Sequence, residues 1–143
     1  MEDQQRLNSL LNEINAYSQQ AELIKQQIEM IQASIAEVDA LSNTLDDLNG
    51  EKAVEAFVPV GAGSFIKGEL KDTDEIIISI GAGYAIKKDA EGAKAIIAGQ
   101  RKDLEDSLDK MLANLQQVTD IIATLQGQAQ QIQAAAQGGI IGY

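Results

Sequence analysis

An apolar residue returns every three or four positions along two separate stretches of the chain, one from each end. The first series is Leu7, Leu10, Ile14, Tyr17, Ala21, Ile24, Ile28, Ile31, Ile35, Val38, Ser42 and Leu45. The second is Ile97, Arg101, Leu104, Leu108, Met111, Leu115, Val118, Ile122, Leu125, Ala129, Ile132 and Ala136. A mean spacing of about 3.5 residues winds these positions into one seam along a helix, and only a partner helix can cover such a seam. Each series spans about 40 residues, which at about 1.5 Å per residue is a helix of roughly 60 Å. A chain patterned in this way reaches outward and does not wrap around a pocket.

The two series also carry a register. Paired from opposite ends, they set Leu45 opposite Ile97 and Leu7 opposite Ala136, and the two polar members, Ser42 and Arg101, fall opposite each other. The expected arrangement is an antiparallel helical hairpin with a polar rung near its base. Parallel pairing of two identical chains would instead oppose Arg101 to Arg101, two like charges. Asn49-Gly50 is the expected stop of the first helix, because glycine takes the left-handed conformation of a helix end without strain. The second helix is expected to start around Asp89–Gly92 and to run to about Gln137, with Gly99 and Gly127 as mild interruptions.

Between the seams the period changes to that of strands. Phe57-Val58-Pro59-Val60 and Ser64-Phe65-Ile66-Lys67 flank Gly61-Ala62-Gly63, and Ile76-Ile77-Ile78-Ser79-Ile80 and Tyr84-Ala85-Ile86-Lys87 flank Gly81-Ala82-Gly83. This is an internal repeat at an offset of 20 residues, VGAGSFIKG against IGAGYAIKK. Each copy reads as a β-hairpin closed by a short glycine turn, with Asp72-Thr73-Asp74 as the polar connection between copies. Pro59 belongs at an edge or a strand end, where its missing N–H is not needed. A lone hairpin is marginal in water. With Ile76, Ile77 and Ile78 in succession, both faces of the strand are apolar, and other subunits are expected to cover them. The oligomerisation residues expected on this ground are Phe57, Val58, Val60, Phe65, Ile66, Ile76, Ile78, Ile80, Tyr84 and Ile86. The fold class is therefore α+β, mostly α: a long coiled-coil helical hairpin (1–49 and 91–137), a double β-hairpin module at its base (50–90) and a flexible apolar tail (138–143).

Composition removes most chemistry. The chain has no Cys, no His and no Trp, and aromatic residues make up 3% of it, which excludes thiolate and imidazole catalysis and Cys/His zinc sites. Its formal net charge is −11, so phosphate backbones and anionic lipid repel it, and neither nucleic acid nor membrane is an expected partner. No apolar run approaches about 18 residues, and Met1-Glu2-Asp3-Gln4-Gln5 lacks the character of a signal peptide, which leaves the cytoplasm as the expected location. Residues 1–50 carry nine acids against Arg6 and Lys25, whereas residues 93–143 carry five against four bases, with Gln116, Gln117, Gln126, Gln128, Gln130, Gln131 and Gln133 on outer positions. An acidic helix repels a near-neutral one less than it repels another acidic one, and the glutamines form a solvated face.

The short motifs are structural. Neither GxG element has the third glycine of a dinucleotide fingerprint or the Gly-Lys-Ser/Thr ending of a phosphate loop. A calcium loop through Asp47, Asn49 and Gly50 would begin at Leu45 and end at Ala56, neither of which can ligate. Asp72, Asp74 and Glu75 read as a solvated turn. No cofactor, metal site or enzyme activity is expected. The last residues, Gly138-Gly139-Ile140-Ile141-Gly142-Tyr143, set large apolar side chains among glycines, and the antiparallel register brings them beside Met1, Leu7, Leu10 and Leu11. That end of the hairpin is an apolar tip.

Helix, two tandem hairpins and helix, with Val58-Pro59-Val60-Gly61, Gly81-Ala82-Gly83-Tyr84 and Lys87-Lys88 in the strand segments, resembles the archaeal α class of the prefoldin family over essentially the whole chain. The resemblance implies a hexamer of two α and four β-class subunits, whose hairpins form β-barrels at a hub from which the coiled coils hang. It implies an ATP-independent chaperone, a holdase that captures unfolded client proteins at the coiled-coil tips and delivers them to a group II chaperonin. Carried over by location, client contacts fall on Met1, Leu7, Leu10, Leu11, Ile132, Ile140, Ile141 and Tyr143. The alternative is a structural coiled-coil tether or filament-forming scaffold with one specific partner, for which an ordered patch with aromatic or arginine anchors would be expected.

Overall fold

The computed structural model describes the backbone of residues 2–141 and the side chains of residues 2–136. The elements are α1 (Glu2–Leu48), β1 (Ala53–Gly61), β2 (Ser64–Lys71), β3 (Glu75–Gly81), β4 (Tyr84–Asp89) and α2 (Ala90–Ile141). The strands form two separate two-stranded antiparallel sheets, β1–β2 and β3–β4. The α+β class with long helices and a doubled hairpin is thus the one the sequence led us to expect. Among the described residues, no helix is long and apolar enough to cross a membrane.

Two compact units divide the chain, one formed by Met1–Ala33 with Glu105–Tyr143 and the other by Ser34–Leu104. In the first, Ala21, Ile24 and Ile28 of α1 bury against Val118 of α2, with Tyr17, Leu108, Met111, Leu115 and Ile122 packed around them. A second cluster joins Leu10 to Leu125 and Ala129, flanked by Leu7, Ile14, Tyr17 and Ile132. Every one of these residues is a seam position. Lower numbers on α1 meet higher numbers on α2, so the pairing is antiparallel. Helix propensity alone would not hold two such helices together; the apolar seam does.

In the second unit, Leu45 of α1, Ile78 of β3 and Ala93 and Ile97 of α2 form one buried cluster, with Val38, Ile76 and Ile96 against it. The expected opposition of Leu45 and Ile97 is found. Ile78, however, is only 5% exposed, covered by the chain's own helices. The expectation that other subunits must cover Ile76 and Ile78 is therefore corrected. A strand turns alternate residues to opposite faces, so the inward pair docks on α1 and α2 while Ile77 between them is 70% exposed.

At the expected polar rung, Arg101 engages Asp39 of α1. Arg101 Nε donates to Asp39 Oδ1 at 2.7 Å and its Nη2 to Oδ2 at 3.3 Å. The long guanidinium arm reaches past the seam to the acid that follows Val38, because a carboxylate accepts both of its parallel N–H bonds and a hydroxyl cannot. That contact holds the Asp39 carboxyl below the usual carboxylate range, chiefly by the Arg101 hydrogen bond and further by its charge, against an opposing effect of desolvation. Lys94 pairs with Asp46 in the same unit.

The repeat in sequence is a repeat in geometry. The turns Ala62-Gly63 and Ala82-Gly83 have positive φ at both residues, 49° and 74° in one and 54° and 80° in the other. This is the type I′ turn whose twist matches paired strands. In both hairpins the register shifts just before the turn, at Gly61 and at Gly81. Pro59 lies beside the first of these shifts, in a sheet where both strands are edges. Equivalent diagonal ion pairs recur as well, Glu55 with Lys67 at 3.5 Å and Glu75 with Lys87 at 3.7 Å.

The helix ends follow the local chemistry. Gly50 takes a φ of 83° directly after α1, and Glu51 N donates to Leu48 O at 3.1 Å. Asp89 caps α2 by accepting a hydrogen bond from Gly92 N at 2.8 Å. The expected stop near Gln137 is replaced by a helix that continues to Ile141. Glycine in a helix costs about 1 kcal/mol relative to alanine, which weakens a helix without ending it.

Candidate functional site

Among the described residues, apolar side chains stand exposed together on two surfaces, besides scattered ones along the helices such as Leu23 and Met30. The first is on β1–β2. Its pairing sets Val54 opposite Leu70, Ala56 opposite Gly68 and Val58 opposite Ile66, which aligns these side chains on one face; Phe57 and Phe65 belong to the other. The Val58 methyl lies 3.4 Å from where a Cβ on Gly68 would sit, so glycine there leaves room for the valine. Phe57 is 73% exposed, and Val58, Val60, Phe65, Ile66 and Leu70 are exposed as well.

On β3–β4, Tyr84 is 71% exposed and Ile80 is also open. Ile86 is half-buried and Ile76 and Ile78 face inward. Of the residues the sequence assigned to oligomerisation, seven therefore present apolar surface outward: Phe57, Val58, Val60, Phe65, Ile66, Ile80 and Tyr84. Ile77 and Leu70 belong with them and were missed. Strict alternation through Ile76-Ile77-Ile78 would have found the first, and the pairing of β2 with Val54 the second.

The second surface is the end of the helix pair in the first unit. Leu11 is exposed, and Leu7 and Ile132 are half-buried. Leu10 is only 8% exposed, turned into its cluster with Leu125 and Ala129, so its role there is packing. Met1, Ile140, Ile141 and Tyr143 lie outside the described side chains. Two open grooves run on either side of Ile132. One, of about 320 Å³, is walled by Asp3, Gln4, Leu7, Ile132, Gln133 and Ala136. The other, of about 410 Å³, is walled by Asp3, Arg6, Gln128, Gln131, Ile132 and Ala135. Sequence reasoning stopped at the large apolar residues; the small ones, Ala135 and Ala136, open the space beside them.

Among the described residues, no group of three or more His, Cys, Asp or Glu is placed to hold a metal ion, and the acids Asp72, Asp74 and Glu75 are no exception. The surfaces offer area and shape.

The family model described as prefoldin subunit matches residues 17–135, which takes in both hairpins and most of both seams. The chain belongs to the prefoldin family. Among prefoldin relatives it is 70% identical over 140 residues to the prefoldin subunit alpha of Methanobrevibacter smithii, spanning 98% of this chain and 96% of that protein. It is 32% identical over 140 residues to the prefoldin subunit alpha of Methanospirillum hungatei, spanning 95% and 94%. The filamentous prefoldin of Methanocaldococcus jannaschii, solved by cryo-electron microscopy, shares the fold with a TM-score of 0.54 and 23% identity, across 86% of this chain and 97% of that one.

Proposed function

We propose that this prefoldin-family chain is the α-class subunit of a cytoplasmic, ATP-independent chaperone, assembled as two α and four β-class subunits, which holds non-native proteins and passes them to a group II chaperonin. The observation that carries it is the 70% identity with a prefoldin subunit alpha over 98% of the chain. The exposed apolar residues of β1–β2, with Ile77, Ile80 and Tyr84, supply what β-class subunits would cover on closing a barrel. The grooves beside Ile132, with Leu7, Leu11 and the end residues Met1, Ile140, Ile141 and Tyr143, supply the client contacts. A non-native chain exposes apolar side chains, and sheltering one of them is worth at most about 1.5–3 kcal/mol. One tip thus binds weakly, and several tips on one assembly retain a client through effective concentration while still letting it go. No bond is made or broken, so neither nucleotide nor catalyst has a part.

The test is light scattering as an unfolded client is diluted into the assembly without ATP, comparing the natural chain with one carrying Ser at positions 7, 11, 132, 140, 141 and 143. Suppression by the first and not by the second, with assembly intact in both, supports the tip as the client site. An assembly that forms and suppresses nothing in either form transfers the chain to the tether class.

A further inference from the structure

The tip grooves differ from ordinary apolar clefts in what walls them. Both have Ile132 as their common ridge, and their polar walls are mostly uncharged amides: Gln4 and Gln133 in one, Gln128 and Gln131 in the other. Asp3 and Arg6 stand together in the second groove, so its formal charges cancel. In a chain of net charge −11, the second groove is formally neutral and the first carries the single charge of Asp3. Among the described residues, the side-chain amides of Gln128, Gln131 and Gln133 have no hydrogen-bond partner; their backbone groups belong to the helix. Ala135 and Ala136 keep the floor low, so a side chain from outside can lie against Ile132 within reach of these amides.

Resting on the tip being the client site, we infer that the glutamines on both sides of Ile132 read the client's peptide backbone, and that the ligand class is an extended, uncharged apolar segment with unpaired N–H and C=O groups. An apolar side chain pressed into either groove carries its own peptide groups out of water. Left without partners, such groups cost more than the bond they would have made. A glutamine amide donates and accepts, so it satisfies either peptide group whatever the sequence around it. Lysine could only donate and glutamate only accept, and each would impose a charge preference on the client. The same amide chemistry makes a folded protein, whose backbone groups are already paired, a poor ligand.

The experiment uses the full assembly and two fluorescent peptides with the same uncharged, Leu- and Val-rich side chains. In one peptide alternate amides are replaced by esters, which removes N–H donors and weakens C=O acceptors without adding bulk. Anisotropy titrations compare the natural chain, Ile132→Ser, and the triple variant Gln128→Leu, Gln131→Leu, Gln133→Leu. The expected result is a loss of about five- to tenfold in affinity for the ester peptide on the natural chain, and no such discrimination by the triple variant although its tip is more apolar. Equal binding of both peptides by the natural chain overturns the inference, as does discrimination that survives in the triple variant. If Ile132→Ser leaves binding of the amide peptide unchanged, the tip itself is not the site and the underlying function fails with it.

Discussion

Ile77 and Ile78 are neighbours in β3 with the same side chain and opposite fates, which makes them a controlled comparison. Ile78 is 5% exposed against Leu45, Ala93 and Ile97; Ile77 is 70% exposed. Ile78→Ala removes three buried carbons, about 2.4 kcal/mol of transfer free energy at about 0.8 kcal/mol each, and the cavity left behind brings the loss to about 3 kcal/mol. Ile77→Ala gives up less than about 1 kcal/mol within the chain, because most of its surface is already in water. In urea, with a slope of about 2 kcal/mol per M, Ile78→Ala should lower the midpoint by more than about 1 M. That shift should be the same at every protein concentration, because Ile78 is already buried within its own chain. Ile77→Ala should act where concentration matters, weakening assembly measured by sedimentation while leaving the dilute chain nearly as stable as before. Equal midpoint shifts for the two variants, or an Ile78→Ala shift that grows with protein concentration, would refute the assignment of inner and outer faces.

Ala62 and Ala82 occupy left-handed positions that alanine disfavours and that asparagine tolerates through local hydrogen bonds of its side chain, so Ala62→Asn or Ala82→Asn should each raise stability by about 0.5–1 kcal/mol in chemical unfolding. Asp89→Ala removes the cap of α2 and should cost about 1 kcal/mol, read as a lower melting temperature with earlier loss of helical circular dichroism. Asp39→Asn should destabilise at neutral pH. The carboxyl's folded pKa lies below its unfolded value near 3.8, so its contribution is present above that value and is lost as pH falls through the folded one. The melting difference between wild type and Asp39→Asn should accordingly narrow as pH falls below 3.8 and through the lower, folded value.

The helices were legible because their chemistry is periodic. The same residues that set the 3.5-residue rhythm fill the clusters around Ile24 and Leu10 and bring Val38, Leu45 and Ile97 to the third, as the end-to-end pairing of Leu45 with Ile97 requires. The hairpins were legible for a different reason: a glycine turn copied at an offset of 20 residues announces itself. What escaped lies off the regular positions or in the small size of a residue on them. Asp39 is beside the seam, and its meeting with Arg101 depends on the reach of a flexible arm. The docking of Ile78 depends on which face of a strand meets which helix, and a run of three isoleucines leaves that choice open. At the tip, the grooves exist because Ala135 and Ala136 are small, and absence of bulk leaves little trace in a hydrophobic pattern.

The asymmetry between the two copies of the hairpin bears on what happens to a chain newly released from the ribosome. One face of its second copy is sheltered on α1 and α2 through Ile76 and Ile78, while the first stands with aromatic and aliphatic side chains in water, and both two-stranded sheets have open edges. A subunit made in excess of its partners therefore carries a badge of its solitary state, the feature that quality-control proteases and aggregating chains both recognise. The lysines that line these edges, Lys67 and Lys71 with Lys87 and Lys88 in the other copy, and the net charge of −11 delay that encounter by repulsion. The waiting time they allow sets how closely the supply of the partners must be matched to that of this chain.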